Sequence, residues 1–366
     1  MLLNRTQKGF SLIELMISLT LGLLISAAVM QVYLTSIKTS SVQSGGTDIL
    51  EASIFGIQNI EKSIRLSNLG MADSNNPFTP LAGVVMTSDT SLVSASQTDK
   101  SKNNMNGIKM GGTVTSAGTD AIDAKYLTKS GIAASNITGL TSSQLTIQYE
   151  APQDMYDCEG TLVRGPIEIE RDGRLELIPG QVIVQRYFLR EVAQNDKSNY
   201  ESNIKSYELR CDAGRYVKEI LNSAELDLQK INDSTILKES RNIRDFGDIG
   251  EVVIPRVDYF GVLLGVEVVE PLTSSVTLRY FTPEQYMSYL KGLATDSTIT
   301  TDIISVKLSA LVRADRPLTG ETGASRFIIF GEPKTLSADT SKAFIRRVYE
   351  SNIMLRNSRA IKESSI

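Results

Sequence analysis

Residues 10–34, FSLIELMISLTLGLLISAAVMQVYL, form an apolar run of 25 positions in which Glu14 is the only charge. As a helix rising ~1.5 Å per residue it spans roughly 37 Å, enough to cross a ~30 Å hydrocarbon layer with some tilt. Arg5 and Lys8 precede the run and Lys38 is the one positive residue close behind it. That bias expects a cytoplasmic N-terminus and an exported remainder. A cleaved secretory signal fits poorly, because the run is too long and no A-x-A site follows it. A simple anchor accounts for everything except the acid. A carboxylate at that depth costs about 3 kcal/mol unless a cation joins it, and no Lys or Arg lies between Phe10 and Lys38. The cation then has to be an α-amine. If the chain is cut after Gly9, Phe10 supplies one, placed i, i+4 from Glu14 in one helix or across from it between neighbouring helices.

The stretch KGFSLIELMISLTLG (8–22) resembles the class III signal of type IV prepilins and type II secretion pseudopilins. The resemblance implies a prepilin peptidase that cuts between Gly9 and Phe10 and methylates the new Phe10 amine. It also implies that Glu14 forms an assembly salt bridge with the N-terminus of an adjacent subunit. Glycine before the cut suits a protease that must approach the backbone. Ser18, Gly22, Ser26 and Ala27 add a stripe of small residues at the spacing by which helices approach closely in lipid.

The helix is expected to outlast the membrane. Positions 49, 57, 60 and 64 place apolar residues on one face, with Asp48, Glu51, Glu61 and Lys62 largely elsewhere. Gly45-Gly46 predicts a bend, since each glycine weakens a helix by ~1 kcal/mol relative to Ala, and Asn68-Leu69-Gly70 predicts its end. The resulting division is a leader at 1–9, a transmembrane or filament-core helix at 10–34, its amphipathic extension at 35–69 and a β-rich domain at 70–366. The expected fold class is α+β and type IV pilin-like, a long N-terminal helix packed on an antiparallel sheet domain.

Beyond the helix the hydrophobic period changes to two. Residues 86–120, rich in Ser, Thr, Asn and Gly, read as a long surface loop or weak hairpins. Strands are predicted at 144–150, 165–171, 174–178, 181–190, 207–211, 258–269, 276–281 and 303–313. Asp172-Gly173 marks a hairpin. Alternation favours a three-residue bulged loop aligning Ile169 with Leu177. Residues 222–250 read as a short helix plus loop, and 283–293 as a helix opened by Pro283.

The chain lacks His, which removes the commonest general base and metal ligand. Neither a catalytic site, a cofactor nor a metal is expected. Asp245, Asp248 and Glu251 are the one acidic cluster to inspect, and their spacing is no known calcium loop. A formal net charge of −4, becoming −6 when Arg5 and Lys8 leave with the leader, argues against a nucleic-acid partner. The two cysteines, Cys158 and Cys211, would meet an oxidising compartment, where a disulfide is the default. Two free buried thiols are the alternative.

Several later elements resemble the PilW family of minor pilins. They are GTDAIDAKY (118–126), DCEG (157–160), QRYFLR (185–190), YELRC (207–211), VKLSALVRADRP (306–317) and FIRRVYESNIMLRN (344–357). Asp123 and Lys125 depart from the apolar alternation of the first element, and 222–250 has no counterpart. The resemblance makes the last element a strand with Arg346, Arg347 and Arg356 facing out, although local pattern also allows a helix. It implies a bacterial inner-membrane protein with a single pass and a periplasmic C-terminal domain, later incorporated into a pilus. The implied partners are the prepilin peptidase, other minor pilins, the major pilin and a tip adhesin. The implied task is priming of type IV pilus assembly from the base or tip, in support of adhesion, twitching motility or DNA uptake. A GspJ-like minor pseudopilin of a type II secretion system is the alternative.

Overall fold

The computed structural model describes residues 11–88, 102–110, 122–171, 173–218, 242–293, 298–318, 322–338 and 340–358. Its first element, α1 (Leu12–Leu66), is a single helix of 55 residues, about 80 Å long at 1.5 Å per residue. Ser11 caps it, and it stops at Leu66, two residues before Asn68 enters the left-handed region at φ +68°. The Asn68 side chain then ties the chain reversal together. Its amide donates to the Ala72 and Asn357 carbonyls at 2.6 Å each, and its oxygen accepts from the Gly83 N–H at 2.8 Å.

Two antiparallel sheets follow. The first runs in the order β5-β4-β3-β2-β1, from β1 (Lys129–Ala133), β2 (Ser142–Glu150), β3 (Val182–Glu191), β4 (Tyr207–Tyr216) and β5 (Glu251–Ile254). The second runs β7-β6-β8-β9, from β6 (Val257–Glu270), β7 (Ser275–Phe281), β8 (Thr300–Pro317) and β9 (Phe344–Met354). The chain passes from one sheet to the other across Pro255-Arg256, with Arg256 at φ +56°. A short helix, α2 (Pro283–Gly292), starts with Pro at its first turn and a Thr282–Gln285 capping box. The mixed α+β architecture is the one expected, and each predicted strand lies within or largely overlaps an observed one. The closing segment is a strand and not a helix.

One core unites the helix and both sheets. Ile49, Ile60 and Ile64 of α1 pack with Ile147 and Tyr187 of the first sheet and Val306 of the second. Each isoleucine so buried contributes about 1.5–3 kcal/mol. The expected bend at Gly45-Gly46 is absent, because α1 is continuous through it. A Cβ at Gly45 would lie 3.4 Å from both Ala314 of β8 and Ile345 of β9. That glycine serves close helix–sheet approach, and the packing holds the helix straight. Gly56 does the same at β5, where a Cβ would fall 2.3 Å from Ile254 Cγ1 and 2.8 Å from the Val253 carbonyl.

Three further expectations are corrected. In the Asp172-Gly173 hairpin, Ile169 pairs with Glu176 and Arg171 with Arg174, which leaves two residues in the loop. Alternation could not set the register there, since Leu175 is 75 % exposed and Leu177 64 %, so neither is held by a buried face. Arg346 does not face out but is buried, while Arg347 and Arg356 are exposed. Residues 102–110 are not a surface loop throughout, because Asn103, Asn104, Met105 and Ile108 are buried. Asn104 accepts from the Met86 N–H at 2.8 Å and donates to the carbonyls of Asn76 and Thr79. Of the expected 222–250 element, residues 222–241 lie outside the described ones, and 242–243 form a short parallel pairing with 109–110.

Gly56→Val should destabilise the fold by about 2–3 kcal/mol, since a side chain there overpacks against β5. Gly46→Ala, whose Cβ would meet nothing within 4 Å, should stabilise it by roughly 1 kcal/mol. Thermal unfolding of the full chain in detergent checks both. A Gly56→Val midpoint equal to that of the parent would show that α1 does not rest on β5.

Candidate functional site

Of the three residues expected to carry processing and assembly, Gly9 and Phe10 lie outside the described residues. Glu14 is described. It sits in the first turn of α1 and closes a capping box in which the Glu14 N–H donates to Ser11 Oγ at 3.3 Å and the Ser11 N–H donates to Glu14 Oε2 at 3.5 Å. The apolar side chains that follow are uncovered, from Leu12 at 78 % exposure to Leu34 at 50 %. Nothing lies within 4 Å of where a Gly22 Cβ would be. Among the described residues α1 is the one helix long and apolar enough to cross a membrane. Over residues 12–34 it therefore presents an apolar surface, a small-residue stripe and one carboxylate, none of them covered by the described part of the folded domain.

A second constellation gathers where the DCEG turn meets β4. Cys158 and Cys211 are joined in a disulfide, with their Cα atoms 6.2 Å apart. Asp157 shapes the turn by accepting from the N–H groups of Glu159 at 3.0 Å and Thr161 at 2.9 Å, and Gly160 follows at φ +80°. The bond thereby fixes Glu159 beside Asp212 and Asp248, and one carboxylate oxygen from each of the three lies within 4.8 Å of the other two. Asp212 is buried and pairs with Arg186 at 2.7 Å. The guanidinium of Arg186 in turn lies 3.9 Å from the Phe188 ring and 4.7 Å from the Tyr126 ring. Burial first, then Asp248 and Asp212, push the Glu159 carboxyl up to about 8. Burial raises Asp212 to about 6 against the opposing pull of Arg186. Glu159 is thus a protonated acid near neutrality, which relieves repulsion among three close carboxyls. The acidic cluster picked out in the sequence is not assembled. Asp245 pairs with Arg215 at 3.0 Å, Glu251 stands exposed on β5, and only Asp248 joins the group.

A third group was missed by sequence reasoning. Arg313 of β8 and Arg346 of β9 are directly paired across the sheet, like charges that need anions between them. Asp258 of β6 supplies one, at 2.6 Å from Arg346 Nε and 3.8 Å from Arg313 Nε. Glu201, reaching in from the β3–β4 connection, supplies the other through a short ion pair with Arg313. Burial opposes the charge on Glu201, but Arg313, Ser206 and Ser198 outweigh it and hold its carboxyl below the usual range. The alternation of LVRADRP gave no warning, because Leu311, Val312, Arg313 and Ala314 are buried one after another, on both faces of β8. A cleft of about 670 Å³ between α1 and the disulfide turn is lined by Phe55, Lys62, Tyr149, Tyr156 and Val252. Burial raises the Tyr149 hydroxyl to about 12, so it stays protonated.

Two family models match the chain. The prokaryotic N-terminal methylation motif covers residues 4–30, and the type IV pilus-assembly protein W family covers residues 230–357. Over these two stretches the chain is similar to methylated prepilins and to type IV pilus-assembly proteins of the W family. The second match takes in the buried Asp258, Arg313 and Arg346 as well as the whole second sheet, and the first takes in Gly9, Phe10 and Glu14. Among solved structures the chain is similar to a type IV-like pilin from Thermus thermophilus at 13% identity. That similarity covers 63% of this chain and 82% of the other, with a TM-score of 0.23. No curated protein matches. The families are those of structural pilins.

The raised acid makes a pH prediction. A carboxyl whose folded-state pKa exceeds its unfolded value of 4.5 contributes stability that is full below that value and is lost as pH rises through about 8. The parent should therefore lose stability between pH 5 and 8, with Asp212 adding to the fall in the lower part of that window. Glu159→Gln should flatten the curve and be the more stable protein at pH 8. Urea unfolding across the range measures it, and parallel curves for the two proteins would show that Glu159 titrates normally.

Proposed function

We propose that this chain is a prepilin cut between Gly9 and Phe10 and methylated on the Phe10 amine. In the filament that amine meets Glu14 of a neighbouring subunit. The observation that supports this most directly is the position of Glu14. It is the single acid of the apolar, uncovered first part of α1 (residues 12–34), five positions beyond Gly9 within the matched methylation motif. Before assembly its carboxylate has a partner in the Ser11 N–H. In the filament a full positive charge replaces that weak one, a stronger charge-assisted contact. The proposed location is the bacterial inner membrane, with the N-terminus cytoplasmic and residues 70–366 periplasmic, followed by passage into a pilus.

The proposed role is that of a minor pilin, which packs its helix among those of other minor pilins and the major pilin to prime growth, at the base or tip. Support for adhesion, twitching motility or DNA uptake would follow from that place, as would contact with a tip adhesin. The match to the pilus-assembly W family over residues 230–357 favours this over a secretion pseudopilin.

Gly9→Val should block processing, leaving the full-length precursor on a blot; a mature-size band would contradict the assigned junction. Glu14→Ala should be processed normally yet reduce incorporation into sheared surface filaments by tenfold or more. Normal piliation in that variant would refute the pairing of Glu14 with a neighbouring amine.

A further inference from the structure

Among the described residues, the strands Ile167–Arg171 and Arg174–Ile178 pair only with each other and belong to neither large sheet. Two-stranded ribbons are marginal in water without a third strand or a packing surface. This one has a firmly held base and a bare body. At the base, the Gly165 N–H donates to Asp154 Oδ1 at 2.9 Å, Arg164 pairs with Asp154 at 2.6 Å, and the Gln181 N–H donates to the Arg164 carbonyl at 2.9 Å. The chain there is pressed against residues 151–154 so closely that a Cβ at Gly180 would fall 2.3 Å from the Ala151 carbonyl oxygen. Further out, Leu175 and Leu177 are 75 % and 64 % exposed, and Glu168 and Glu170 are exposed across from them. The outer strand reads IEIE over 167–170, with no Lys or Pro to blunt its edge.

We propose that the Ile167–Arg171 edge takes up a third strand, supplied by a partner polypeptide in which apolar residues alternate with Lys or Arg. Along such a strand the basic side chains would stand beside Glu168 and Glu170, and the apolar ones beside positions 167 and 169. Opposite charges and apolar pairs across neighbouring strands are each stabilising. The long stems of the basic residues would also cover the leucine face. The same charges exclude a second copy of this ribbon, since IEIE against IEIE sets Glu beside Glu. The chemistry of the partner is therefore dictated by the edge itself, and it is distinct from the helix contacts proposed for assembly.

Fluorescence anisotropy of the full chain in detergent, titrated against labelled peptides, tests this. One peptide alternates Val and Lys over eight residues and the other alternates Val and Glu. The Val–Lys peptide should bind at least tenfold more tightly. Glu168→Lys combined with Glu170→Lys should reverse that preference. The control, Glu284→Lys combined with Glu332→Lys, makes the same change of net charge elsewhere and should leave it intact. Equal binding of the two peptides, an unreversed preference in the first variant, or reversal by the control would each overturn the proposal. So would concentration-dependent self-association of the chain that the Glu168/Glu170 variant abolishes.

Discussion

The seating of α1 on the two sheets is the contact on which the rest of the molecule depends. A 55-residue helix with low-propensity Ser, Thr and Gly through its middle would not persist on its own in water. It persists because Gly45 and Gly56 let the backbone come within side-chain reach of β8, β9 and β5, and because Ile49, Ile60 and Ile64 then enter the shared core. The first half of the helix has no such support from the domain. Its side chains are as apolar as those of the core but point at nothing in the folded chain. Lipid or other helices would cover them.

The folded domain handles charge differently from the helix. Four enclosed ions, Asp258, Glu201, Arg313 and Arg346, form a neutral group drawn from four separate segments. Removing any one leaves an uncompensated charge, which costs more than the pair contributes. Such a group does more to specify register between β8 and β9 than to add stability. At the disulfide corner the solution is protonation: burial and the neighbouring carboxylates push the Glu159 carboxyl up to about 8. Cys158–Cys211 is what makes that corner close enough to need it.

Much of the architecture was legible because it rests on strong, local signals. The apolar run, its lone acid, the period-two strands and the Thr282-Pro283 helix start each carry their reason in a few adjacent residues. The failures share a cause, which is that the deciding contact was distant in sequence. Gly45 reads as a helix breaker until Ala314 and Ile345 are placed against it. Arg346 reads as a solvated edge charge until Asp258, 88 residues earlier, is seen beside it. Asn104 reads as loop until it is found satisfying three backbone groups in the interior. The hairpin at Gly173 failed for the opposite reason. Alternation was used where neither face is buried, so it had no power to choose the register.

Glu14 joins these lines of reasoning. Within the chain it is an ordinary capping acid, and a capping box needs no acid in particular, since Gln serves as well. The capping role therefore cannot explain why the position carries a charge inside an apolar run. A carboxylate in the first turn gains about 0.3–1 kcal/mol from the helix dipole, well short of the about 3 kcal/mol that it costs over an apolar residue on insertion into lipid. The excess cost is recovered only in a state where a cation is adjacent. Because no Lys or Arg lies between Phe10 and Lys38, the cation we propose is the Phe10 amine of a neighbouring subunit. That proposed pairing would offset the cost of the acid. It would also tie burial of the acid to the covering of the apolar helix.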